Sequence, residues 1–163
     1  MDKPLIRISV RNMIEFLLRS GDIRSGVASS QLLHQGTEIH RKIQAEAEDG
    51  YQPEVRLSCE LDYDDFTILV EGIADGIIPD KEKPIIDEIK STSVPLELID
   101  EDFSYLHWAQ AQCYGWMYLH QTDASSAIIR LTYSHTKSNE TKQLTRELTC
   151  QELERYFNNL VEQ

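Results

Sequence analysis

Apolar positions recur along this chain in two rhythms. The first is helical: Val10, Ile14, Leu17 and Leu18 follow Ser9, a good N-cap, and Gly21 supplies a stop. A second helical stretch is predicted from Ser29 to Ala47, with Leu32, Leu33, Ile39 and Ile43 turned inward. The rhythm then changes to a period of two. Val55, Leu57 and Cys59 alternate with polar partners, "FTILVEGIA" is rich in strand formers, and "PIIDEIKS" follows the short break "PDKEK". "SVPLELIDEDFSYL" reads as a loop leading into a helix over Phe103 to His120, which is unusually aromatic. "SSAIIRLTYSHT" and "TKQLTRELT" form a second strand pair around "KSNE". A closing helix carries Leu153, Tyr156, Phe157, Leu160 and Val161. Helix, helix, three strands, helix, two strands, helix predicts one α/β domain over residues 1–163, a central mixed sheet flanked by helices.

Charge changes the picture because it is unevenly placed. The net charge of −12 divides into +3 over residues 1–44, −14 over 45–102 and −1 beyond. Overall acidity argues against tight, non-specific binding to nucleic acid, which rests on neutralising phosphates. It leaves room for a metal-dependent enzyme with a local basic strip. Arg7, Arg11, Arg19, Arg24, Arg41 and Lys42 could form such a strip, or could be scattered surface charge. No apolar run reaches the ~18 residues of a membrane span, and the N-terminus lacks a secretory pattern. Cys59, Cys113 and Cys150 are odd in number and far apart, which predicts buried thiols in a reducing cytoplasm rather than a zinc or iron–sulfur cage.

The acidic segment contains the chemistry. In "IIDEIK" the strand period puts Ile86, Glu88 and Lys90 on one face, and Ile85, Asp87 and Ile89 on the other. A hairpin turning at Lys81–Glu82 would set Asp75 opposite Glu88, with β-carbons about 5 Å apart. Two carboxylates so close repel unless a proton or cation lies between them. Mg²⁺ or Mn²⁺ with one or two carboxylates, beside a lysine that orients water, would make a phosphodiester-cutting centre. The plainer alternative is a surface hairpin whose Asp75–Lys90 and Glu88–lysine pairs contribute little. Gln110 and Tyr114, four apart, share a helix face with His107 and could hold a phosphate or orient Lys90; equally, Tyr114 could be core and Gln110 rim.

Taken together, these segments resemble the RecB-like branch of the PD-(D/E)xK nuclease superfamily. "GIADGII" resembles its strand ending in a metal-binding Asp, implying Asp75. "IIDEIKST" resembles its (D/E)xK strand, implying Glu88 as second carboxylate and Lys90 as catalytic lysine. "QAQCY" is similar to its Q-x-x-x-Y motif, at Gln110 and Tyr114, and "GTEIH" to its early helical histidine, implying His40 as a further metal ligand. The four elements occur in the family's order across residues 36–114. The resemblance implies a restriction-endonuclease-like αβββαβ core and a Mg²⁺- or Mn²⁺-dependent, exonuclease-like activity on DNA. "ISVRNMIEFLLRSGDI" further resembles a nuclease-like module fused to some bacterial superfamily-two helicases, implying a helicase partner, fused or in trans.

Two departures qualify the match. Asp87 precedes Glu88, so either acid can be argued as the ligand, although strand alternation turns Asp87 away from Asp75. The iron–sulfur subset of the branch uses four cysteines, and three dispersed ones cannot supply a cluster. A different class of function, a DNA-binding or partner-binding module with this fold and no turnover, is suggested by the −12 charge.

Overall fold

The computed structural model describes residues 3–18 and 30–162, with side chains from residue 38 onward in the second segment. The elements in order are β1 (Leu5–Ser9), α1 (Val10–Leu18), α2 (Ser30–Glu46), β2 (Gln52–Asp62), β3 (Thr67–Ile78) and β4 (Ile85–Thr92). A 3₁₀ turn at Leu96–Leu98, α3 (Tyr105–His120), β5 (Ser126–His135), β6 (Thr141–Thr149) and α4 (Cys150–Val161) follow. All six strands join one mixed, open sheet. The α/β architecture matches the one the sequence predicts. Gly21, Arg19, Arg24 and the side chains of Leu32 and Leu33 lie outside the described residues.

Local rules account for the helices. Ser104 caps α3 by accepting from the His107 amide, and Thr149 and Glu152 close a reciprocal capping box at the start of α4. α3 is buried on nearly every side, Gln110 and Gln112 included, because α1, α4 and the sheet all pack on it. Its Gly115 allows close approach, since a β-carbon there would meet Ile129 Cδ1 at 2.6 Å. On the sheet face towards α3 lie Ile86, Glu88, Ile129, Leu131 and Tyr133; Leu153, Phe157 and Leu160 complete the core from α4. The opposite face, with Asp87, Arg130 and Thr132, is tied to the chain just past α2.

Two expectations are corrected. β1 was not anticipated: Leu5 and Ile6 are 51% and 49% exposed, so no in–out alternation marks the strand, and parallel pairing with β3 is what holds it. Of the three cysteines, all free, Cys113 alone is buried, while Cys59 and Cys150 sit half-buried at the margins of the core.

The long strand β3 organises the sheet. Its one edge is taken by β2 from Asp62↔Thr67 to Gln52↔Ile77. Its other edge is shared: β1 pairs with residues 67–71, and β4 with residues 76–78 alone. Between them β3 and β4 diverge into a fork, with residues 72–75 on its wall.

A candidate active site at the strand fork

The hairpin register is the one expected. Ile78↔Ile85, Ile77↔Ile86 and Gly76↔Asp87 pair, and the ladder stops one step before Asp75 would meet Glu88. At that step the strands part, and a side chain takes over from the backbone: Asp75 Oδ2 accepts from the Ile89 amide at 2.7 Å. The ladder with β2 is also interrupted here, since Glu54 has a positive φ of 52° and makes no pair with Asp75. The Asp75 carbonyl instead accepts from Gln44 Nε2 at 2.8 Å. Asp75 is thus fixed by its carboxylate on one side and its carbonyl on the other, inside the wedge of the fork.

Glu88 and Lys90 project from β4 towards α3. Lys90 Nζ lies 3.2 Å from Glu88 Oε1 and donates to Gln110 Oε1 at 2.7 Å. Glu88 is 6% exposed, and its Oε2 is a buried oxygen with no hydrogen-bond partner. Burial first, and then the neighbouring Asp75 carboxylate, push the Glu88 pKa up to about 8, against the lowering effect of Lys90. A surface hairpin with solvated ion pairs does not describe this geometry. Tyr114 covers the wall of the fork: a β-carbon at Gly72 would meet its Cε1 at 2.6 Å, so glycine there makes room for the ring. Burial, Glu88 and Asp75 all raise the Tyr114 pKa, which keeps the hydroxyl protonated as a donor.

His40 comes from the other face. α2 carries it to the fork with Nδ1 3.4 Å from Asp75 Oδ1. One turn along, Gln44 makes the carbonyl contact already described. The fork therefore brings together Asp75, Glu88, Lys90, Gln110, Tyr114 and His40, from two strands and two helices.

The donor set can be tested against a divalent cation. Among the described residues, no three His, Cys, Asp or Glu side chains are gathered tightly enough to form a ready cage. A hard cation needs less than a cage, commonly one or two carboxylates with waters and phosphate oxygens completing its shell. Two buried acids side by side with no donor between them require either a shared proton, towards which the raised Glu88 pKa points, or a cation, and a divalent ion displacing that proton fits the site.

The neighbouring acid Asp87 has a different task. It is 1% exposed and receives Tyr51 Oη at 2.7 Å, Arg130 Nε at 3.0 Å and Thr132 Oγ1 at 2.6 Å. Arg130 also reaches Glu48 at 2.7 Å, just beyond α2, which anchors the end of the helix that bears His40 and Gln44. Between the two candidate acids, the structure turns Glu88 to the fork and fully occupies Asp87 elsewhere. Gln44, Tyr51 and Arg130 were not singled out from sequence; a charged residue inside the apolar run "AIIRLTY" was the available signal for Arg130.

Beside the fork lies a pocket of about 570 Å³, lined among others by Arg11, Arg56, Ile73 and Tyr114. Tyr114 forms the boundary between them. Of the basic strip considered above, Arg7 is paired with Glu71 at 3.7 Å, and Arg41 and Lys42 are exposed on α2.

No family model and no curated protein matches the chain. Among solved structures, the crystal structure of SSO0001 matches over 99% of this chain and 78% of its own length, with 20% identity and a TM-score of 0.58. At that identity the likeness shows the fold: an α/β chain with a mixed sheet and flanking helices.

Proposed function

We propose that this protein is a divalent-metal-dependent DNA nuclease whose centre is the strand fork. The observation that carries the reading is the buried Glu88 side chain beside Asp75, its Oε2 without a protein donor and its Oε1 on Lys90, with Lys90 held in place by Gln110. Two neighbouring buried acids are kept together only where a proton or a cation offsets their repulsion. The ordered resemblance to RecB-like nucleases supports the same residues.

Asp75 and Glu88, with help from His40, would hold Mg²⁺ or Mn²⁺. Bound there, the ion would polarise the scissile phosphate and lower the pKa of a coordinated water. The chain's own groups do the rest. Lys90, fixed between Glu88 and Gln110, orients the attacking water and offsets charge on the phosphate oxygens. Water releases a proton to solvent as its oxygen bonds to phosphorus, the P–O bond to the leaving nucleotide breaks, and the departing oxygen takes up a proton from solvent. Tyr114, kept protonated, donates to a phosphate oxygen at the edge of the fork.

A second reading, a DNA-binding or helicase-partner module without turnover, is favoured by the −12 charge and the lack of a ready three-donor cage among the described residues. Cleavage of single- and double-stranded DNA with Mn²⁺, together with calorimetric Mn²⁺ titration, separates the two. The nuclease reading expects cutting that Lys90→Ala abolishes and metal binding that Asp75→Ala removes. No cutting and no binding at millimolar Mn²⁺ would leave the module.

A further inference from the structure

We infer that the pocket formed by Arg11 and Arg56 is a phosphate subsite, holding a single DNA strand next to the bond cut at the fork. The inference takes DNA as ligand from the reading above, and adds where the strand is gripped.

Charge is the first observation. In a chain of net charge −12, some cations are offset by nearby acids: Arg7 by Glu71, Lys83 by Glu147, and Arg130 by Asp87 and Glu48. Arg11 and Arg56 are among those that are not, and are distinguished by sharing a pocket. They come from different elements, α1 and β2, line the same pocket, and make no ion pair among the described residues. Two exposed guanidiniums left unpaired across one concavity create a local positive potential within an acidic molecule. Guanidinium is also the side-chain group best matched to a phosphate, through paired N–H donors. Glu71 shares the pocket wall, but Arg7 stands against it.

The walls suit a nucleotide as well as its phosphate. Leu57 is buried in the floor, while Ile73, the ladder partner of Arg56, is 50% exposed. Ser9 and Ser58 add hydroxyls. An apolar surface with cations beside it is what a strand presenting sugar, base and phosphate requires.

Position is the third observation. Tyr114 lines the pocket and faces the acids of the fork; Arg11 on one side lowers its pKa, while Glu88 and Asp75 on the other raise it. Gly72 in the pocket and Asp75 in the fork are three residues apart on β3, or roughly 10 Å at the usual strand rise. One strand can reach both.

The test is run in EDTA, so that binding is read without metal or cutting. A fluorescein-labelled single-stranded DNA 12-mer is titrated with the full chain at several salt concentrations. Arg11→Gln/Arg56→Gln should weaken binding roughly tenfold at low salt and flatten the slope of log K against log [salt] by about 1.4, that of two lost phosphate contacts. Lys83→Gln/Arg155→Gln, which removes equal charge from exposed sites elsewhere, should leave the slope near that of the parent. Equal effects of the two double variants, or no binding by the parent, would overturn the subsite. The outcomes are separable from those of the nuclease reading. Binding that depends on the arginines without cutting under Mn²⁺ keeps the subsite and loses the nuclease; cutting with binding indifferent to the arginines does the reverse.

Discussion

Lys90 Nζ and Gln110 Oε1 lie 2.7 Å apart, joining β4 to α3 by a hydrogen bond from the charged ammonium. The contact fixes a flexible side chain that would otherwise sample many rotamers. Removing the amide in Gln110→Ala should therefore leave Lys90 misplaced rather than absent. The expected result is a fall in kcat on the order of 100-fold, the scale of a misplaced catalytic group. Mn²⁺ affinity should change little, since Gln110 does not touch Asp75 or the free Glu88 oxygen. Gln110→Glu keeps an acceptor and should recover part of the rate. Single-turnover cutting and calorimetry on the same variants check both points.

Glu88 gives a metal-dependent prediction about stability. Burial and the neighbouring Asp75 carboxylate hold the Glu88 pKa well above the usual carboxylate range, which favours the neutral acid in the absence of metal, and a neutral amide of the same shape replaces it with little cost. Glu88→Gln should melt within a few degrees of the parent in EDTA. Saturating Mn²⁺ should stabilise the parent by about 2.7 kcal/mol at 100 times its Kd and the variant by much less. Thermal melts with and without Mn²⁺ decide it; an unfolded variant would assign Glu88 a structural role.

The adjacent acid should behave in the opposite way. Asp87→Ala strips a buried guanidinium of its buried partner and removes the acceptor of Tyr51 and Thr132. Breaking such a pair typically costs about 3–5 kcal/mol. Glu48→Gln, at the half-exposed end of the same network, should cost less than about 1 kcal/mol. Urea unfolding measures both. Similar losses in the two variants would mean that Asp87 is not the keystone of the network.

His107 supplies the pH dependence. Burial, and then the positive charge of Lys90, lower its pKa from 6.5 to about 4, and its Nδ1 lies 2.8 Å from Tyr133 Oη. The folded protein thus binds this proton less readily than the unfolded chain. Its contribution is present above pH 6.5 and is lost as pH falls towards 4. In His107→Gln that loss should disappear. Between pH 7.5 and 4.5 the parent should lose roughly 2–3 kcal/mol more than the variant, the equivalent of about two pKa units. Paired urea titrations at the two pH values test the sign as well as the size.

Much of this was legible in the chain. Apolar period and strand composition placed β2 to β6 and all four α-helices, and the turn at Lys81–Glu82 set the register that Gly76↔Asp87 now displays. Strand alternation separated Glu88 from Asp87. β1 is not legible in the chain: its first residues are exposed, and pairing with β3 rather than a buried face makes it a strand.

The sequence by itself determined which residue types stand at which step of each strand and helix, because side-chain direction follows from local backbone period. Tertiary structure alone decided the fork, since two strands competing for one edge of β3 is a long-range fact that no local window contains. It alone decided that Asp75 would replace a backbone partner of Ile89, that Glu88 would be left with an unmatched oxygen, and that Asp87 would be matched completely. Each outcome depends on what lies across the sheet, where burial raises the energy of any charge not met by a partner.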